Sequence, residues 1–216
     1  KEIIECRRCL RLVEFREDIA RTKRKQFMDW DYWGKPVTGY GDTNAKLLII
    51  GLAPAAHGGN RTGRVFTGDK SAYFLFKCMY EVGLSNQPNS DSLDDGLELF
   101  NCYMTPMLKC VPPQDKPKPD ELNNCRLFIE LEVQLLKNVK YIVALGKIAF
   151  DGYLKILKSN FDFKMKDFPF IHSRYHDLPN GKILISAYHP SPRNVNTKRL
   201  TFEMMVSLLN KIKNQI

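Results

Sequence analysis

KLLIIGLAPAAHGGNRTGRVFTGD, residues 46–69, is the stretch whose reading decides the fold. It opens on Leu47-Leu48-Ile49-Ile50, a short apolar, β-branched run of the kind that forms a buried strand. It passes into Gly51-Leu52-Ala53-Pro54-Ala55-Ala56-His57-Gly58-Gly59, too rich in Gly and Pro for regular structure. Open α/β sheets bind ligands in the loops at the ends of such strands. Small side chains there let a flat ligand approach the backbone, so Gly51, Leu52, Ala53, Pro54, Ala55 and His57 are candidate pocket residues. The stretch closes on Asn60, Arg61, Thr62 and Arg64, one aromatic ring, Phe66, and one carboxylate, Asp69. Backbone donors, a ring for stacking and an acid are the parts of a pocket, and the loop is long for a mere connection.

Outward from this stretch the pattern repeats. A helical pattern over 71–82 stops at Gly83, and Asn101–Leu108 reads as a second strand. The proline-rich Cys110–Pro119 segment is neither helix nor central strand. A long helix is expected from Pro119 or Asp120 to about Lys137, with Cys125 on its apolar face. Tyr141–Gly146 reads as a third strand and 147–158 as a helix. A loop over 159–181 leads to a fourth strand, Lys182–Ala187, then Tyr188-His189-Pro190-Ser191-Pro192-Arg193-Asn194. A last helix carries Leu200, Met204, Leu208 and Ile212 as one stripe. Before the first strand, 10–20 reads as a helix and 31–45 as an aromatic, glycine-rich loop. Strand and helix alternate four times, which argues a parallel sheet with helices on both faces. All strands of such a sheet end on one edge. The loops after Ile50 and after Ala187, remote in the chain, can then form one crevice.

The chain has 216 residues, which suits one α/β domain over 1–216, and at 44% hydrophobic it can build a sizeable core. Its apolar runs are too short to cross a bilayer and no signal peptide is legible at Lys1, which points to a cytoplasmic protein with no membrane partner. A formal charge of +9 favours a polyanionic partner, and nucleic acid is the commonest soluble one. The basic run Arg21, Lys23, Arg24, Lys25 reads as a solvated face. Six cysteines without an export signal suggest metal or catalysis more than disulfides. Cys6 and Cys9 form a CxxC; Cys110 and Cys125 stand apart; Cys78 and Cys102 read as small core residues. Four thiolates suit zinc or an iron–sulfur cluster, and spacing alone does not choose.

GLAPAAHGGNRTGRVFTGD and HPSPRNVNT resemble the two signature motifs of the uracil-DNA glycosylase superfamily, above all its fifth family, the type B enzymes. The resemblance extends from Cys6 to the last helix. It implies a three-layer α/β/α fold around a central four-stranded parallel sheet. It also implies a [4Fe–4S] cluster on Cys6, Cys9, Cys110 and Cys125, and excision of uracil from DNA as a monofunctional hydrolase of base excision repair.

Such an enzyme takes its base out of the stack. Phe66 is then the stacking ring, worth about 1–3 kcal/mol. His189, the motif-two histidine by resemblance, is expected to donate as a neutral imidazole to the base as negative charge develops there. An attacking water needs a carboxylate. Relatives in other families carry an acid or amide just after the first strand, where this chain has Leu52 and Ala53; the fifth family's substitute is the acid late in motif one, here Asp69. Asp69 also reads as a helix cap. Thr105-Pro106-Met107 offers no amide where uracil-selective relatives read the base edge, which implies a broadened range including hypoxanthine or xanthine. Family members often have Asn where Asp115 stands. Arg193 and Asn194 are expected as wedge or minor-groove contacts, with Lys198, Arg199, Arg61 and Arg64 holding phosphates. The expected form is a monomer acting on DNA with uracil or other deaminated bases. The rival reading is a non-catalytic iron–sulfur DNA-binding protein on the same fold.

Overall fold

Apolar runs of five residues pair side by side because each is buried on both faces. In the computed structural model, which describes residues 2–216, they are β2 (Leu47–Gly51), β3 (Cys102–Pro106), β4 (Tyr141–Leu145) and β6 (Ile183–Ala187). These four are parallel, in spatial order β3-β2-β4-β6. Two short antiparallel strands close the edges: β1 (Tyr40–Gly41) beside β3 and β5 (Arg174–Asp177) beside β6. The central four-stranded parallel sheet is as expected, and an antiparallel strand at each edge extends it to six.

Alternate residues of each strand serve opposite layers. Leu47, Ile49, Val143, Leu145 and Ile185 pack under α3 (Lys70–Glu81) and α7 (Phe202–Lys213). Leu48, Ile50, Ile142, Ala144 and Leu184 pack under α4 (Pro119–Leu135) and α5 (Lys147–Leu157). This is the expected three-layer arrangement. The stripe of α7 is set by Met205, Leu208, Leu209 and Ile212, all buried, while Met204 sits at its margin. Cys78 and Cys102 are fully buried in the α3–α7 layer, in keeping with their reading as core residues.

The N-terminal helix α1 (Leu10–Thr22) docks beside the start of α4. Arg11 pairs with Glu121 at 2.7 Å, and Glu121 accepts from the Lys118 amide at 2.7 Å. A small core of Leu12, Leu108, Cys110, Cys125 and Phe128 fills the joint, and Ala53 of the long loop packs on it.

Beneath that joint lies a buried charge. Lys109 Nζ donates to Glu132 Oε2 and to Thr105 Oγ1, both at 2.6 Å, and Thr105 donates to the same carboxylate. Thr105 is thus spent inside the protein. Burial pulls the Lys109 pKa down, and Glu132 opposes the shift. Removing one partner of such a pair leaves an uncompensated charge. Glu132→Ala should therefore cost about 3–5 kcal/mol of stability, read from the midpoint of denaturant unfolding.

Candidate active site

The parallel strands all stop at one edge, and the loops that leave them there build the site. Past β2 the loop stays pinned: Met107 N donates to Gly51 O and Leu108 N to Leu52 O, both at 2.9 Å. A single turn of helix, α2 (Gly59–Thr62), reverses the chain, and residues 63–69 return towards Gly51. Phe66 makes that return with φ of 49°, a left-handed conformation that a bulky side chain rarely adopts. The turn lays its ring over the end of β2, where a Cβ on Gly51 would stand 2.5 Å from Phe66 Cζ. Strain of this kind collects at functional sites.

Asp69 sits at the N-cap of α3. Its Oδ1 accepts from Ser71 N at 2.8 Å and from Ala72 N at 3.0 Å. Oδ2 makes no hydrogen bond within the protein and lies over Gly58, where a Cβ would collide with it. One oxygen closes the helix while the other is free for a ligand or water. Burial raises the carboxyl's pKa; the Ala72 and Ser71 amides oppose the rise, Asp115 adds to it, and Arg61 opposes it.

The second loop begins where β6 ends. His189 is partly exposed, and its ring centre lies 6.4 Å from that of Phe66, with the planes 33° apart. Its imidazole bonds to no protein group, and burial lowers its pKa to about 4, so it is neutral at physiological pH. Lys70, next to Asp69, and Pro190, next to His189, line one cavity of about 210 Å³ with Phe74, Pro192, Val195 and Asn196. The two motif loops therefore meet on one side of the sheet. A roomier groove, about 470 Å³ between α4 and α5, holds no residue of either loop.

Several residues differ from their expected roles. Arg61 and Arg64 are each only 3% exposed. Arg64 pairs with Asp95 at 2.6 Å and bonds Ser90 and Thr67, stapling the 85–99 connection to the loop. Arg61 bonds His57 O and Gly68 O. Neither guanidinium is available to a phosphate. The Asn194 side chain donates to His189 O at 2.8 Å, so it holds the histidine's loop. Arg193 and Lys198 are exposed and form no ion pair with the described residues, consistent with reaching a polyanion.

Support comes from residues that carry no role in the motifs. Tyr32 Oη meets His57 Nδ1 at 3.0 Å. His172 Nδ1 accepts from Tyr188 N at 3.0 Å and stacks on the Tyr188 ring, which Arg199 covers from 4.5 Å. Only the aromatic bias of 31–45 hinted at the first; a lone histidine in a loop carried no signal for the second.

Cys6, Cys9, Cys110 and Cys125 line one space beside α1 and form no disulfide. Arg16 Nη1 donates to Cys110 Sγ at 2.9 Å, Asn124 to Cys9 Sγ at 3.4 Å and Lys109 N to Cys125 Sγ at 3.5 Å. Among the described residues no three His, Cys, Asp or Glu side chains are arranged to hold a metal ion. Arg16 O accepts from Asn60 of the pocket loop at 3.1 Å, which joins this lobe to the site.

One sheet edge thus gathers a capping carboxylate, a neutral histidine and a phenylalanine ring tilted against it. The model of the uracil DNA glycosylase superfamily matches residues 38–213, and the chain belongs to that superfamily. A type-5 uracil-DNA glycosylase of Thermus thermophilus is 45% identical over 208 residues, 96% of this chain and 92% of that protein. One of Pyrobaculum aerophilum is 43% identical over 209 residues, 97% and 88%. A type-4 enzyme of Archaeoglobus fulgidus is 24% identical over 88% of this chain and 79% of its own. Within the superfamily, the chain is a member of the fifth family.

The lowered pKa of His189 has a sign that can be checked. The unfolded chain takes up its proton near the ordinary value of about 6.5, the folded chain only near 4. Stability from the buried neutral ring is present above pH about 6.5 and is lost as pH falls towards 4. His189→Gln should flatten this part of the melting temperature's pH dependence, with the other histidines common to both proteins.

Proposed function

We propose that this chain hydrolyses the N-glycosidic bond of uracil extruded from DNA, with Asp69 and His189 as catalytic residues, leaving an abasic site. As a member of the fifth family it is a uracil-DNA glycosylase acting in base excision repair. The observation that carries the reaction is the divided carboxylate: Oδ1 is held by two amides, and Oδ2 is free. A carboxylate so fixed orients the attacking water and offsets positive charge growing on the sugar. The neutral imidazole of His189 donates to the base as negative charge collects on its oxygen. Phe66, whose ring is seated directly on Gly51, offers a face on which the extruded base stacks.

The base itself meets backbone and small side chains along Gly51–Ala55, with His57 at the rim held by Tyr32. Thr105 being engaged with Glu132, no amide or hydroxyl of that strand reads the base edge. This supports the broadened range, in which deaminated purines are also released. Arg193 and Lys198 hold the DNA backbone.

Four free cysteines around one space, with N–H donors aimed at three of the sulfurs, fit a [4Fe–4S] cluster. Bound there, the cluster ties α1 to the proline-rich segment and to α4. Purified protein should be brown, with about four irons per chain; a colourless protein with stoichiometric zinc would refute the assignment. Cys110→Ser should bleach it.

Asn caps helices about as well as Asp. Asp69→Asn should therefore keep the melting temperature and lose single-turnover cleavage by about 10²–10⁴-fold. The assay pairs uracil- and hypoxanthine-containing duplexes with alkali, which reveals abasic strands. Tight binding without abasic product in the unaltered protein would favour a non-catalytic DNA-binding role. Uracil-only cleavage would refute the broad range.

A further inference from the structure

Arg61 is buried in the pocket loop and, unlike Arg64, forms no salt bridge with a carboxylate among the described residues. Its Nε donates to His57 O at 2.8 Å and its Nη2 to Gly68 O at 3.2 Å, so it spans the loop's turn from the residue before Gly58 to the residue before Asp69. Its guanidinium sits in the corner of two rings that meet edge-to-face, 4.0 Å from the centre of Phe27 and 3.9 Å from that of Trp30. Both rings belong to the segment after α1, whose chain is bound to the same turn: Trp33 N donates to Arg61 O at 2.9 Å and Gly34 N to Asn60 O at 3.0 Å. Gly68, with φ of +73°, has no room for a Cβ because the guanidinium occupies that space. Nη1 is buried with no protein partner.

We propose that Arg61 is a positioning residue for Asp69: held in the corner of Phe27 and Trp30, it fixes the 57–68 turn that leads into the carboxylate and keeps a buried positive charge near it. The inference rests on the reading of Asp69 as the water-orienting group. A guanidinium suits the task because its planar fork bridges two carbonyls while it also rests against aromatic rings, which a lysine ammonium cannot do with the same fixed geometry. The charges that face the carboxylate are Arg61, which favours its ionised form, and Asp115, which opposes it. Around Arg61 itself stand Tyr32, Tyr73, Asp69 and Asp91, while burial lowers its own pKa.

The test is single-turnover cleavage of a uracil duplex from pH 4.5 to 9 by the cluster-loaded protein, Arg61→Gln, Arg61→Lys, Trp30→Leu and Asp69→Asn. Binding to the abasic product duplex and melting temperature are measured alongside. Arg61→Gln should slow cleavage about tenfold to a hundredfold, as a misplaced group does, with product binding unchanged. Its acid limb should move up, because a neighbouring cation no longer favours the carboxylate. Arg61→Lys should slow cleavage similarly but leave the acid limb where it was. Trp30→Leu should slow cleavage several-fold with the limb unmoved, and it carries the test of the clamp if Arg61→Gln does not fold. Loss of product affinity at an unchanged rate would make Arg61 a phosphate contact and overturn the proposal. An unshifted limb and an unchanged rate in Arg61→Gln, with Asp69→Asn inactive, would overturn this proposal alone. Full activity in Asp69→Asn would remove the reading of Asp69 and this inference with it.

Discussion

Parallel pairing is the constraint from which the site arises. Gly51 pairs with Pro106, Ile50 with Ala144 and Leu145 with Ala187, so β2, β3, β4 and β6 finish together. A slip of one residue along β2 would turn Leu47 and Ile49 from the α3–α7 layer to the α4–α5 layer and carry Gly51 away from Phe66. The core thus selects the register, and the register brings the return of Phe66 and the approach of His189 to one place. Hydrophobic packing far from any reacting atom decides where the carboxylate and the imidazole stand.

Most of this was legible because the central strands are apolar on both faces and the motif loops are rich in Gly and Pro. The edges were not. β5, Arg174-Tyr175-His176-Asp177, is an edge strand with largely exposed, polar residues, and its composition reads as loop. β1 is two residues long and exists only because β3 offers it a partner. The site was legible as residue types but not as burial. Arg61, Arg64 and Asn194 carry the donors of a phosphate contact, and in a linear reading they stand among the motif residues. Nothing in the sequence tells that Asp95 and Ser90 will take Arg64, or that Phe27 and Trp30 will enclose Arg61.

The N-terminal lobe belongs to the same account. Its cysteines lie on three separate pieces of chain, yet the lobe is continuous with the pocket through Asn60 and Arg16, through Ala53 on the Leu12–Phe128 joint, and through Tyr32 on His57. Arg16 is 2% exposed and bonds both Cys110 and the carbonyl of Cys6. The lobe therefore braces the pocket loop from one side.

Gly146 ends β4, the middle one of the three strands whose loops meet at the site. It holds φ of +93°, and a Cβ there would stand 3.5 Å from the Cβ of His189. With Gly51 under Phe66 and Gly58 under Asp69, three strand-end and loop positions contribute by having no side chain at all. Bare backbone is thus what lets the ring and the carboxylate settle so close to the sheet, and a single methyl group added at Gly51 or Gly58 would dislodge Phe66 or Asp69 without touching either residue's own chemistry.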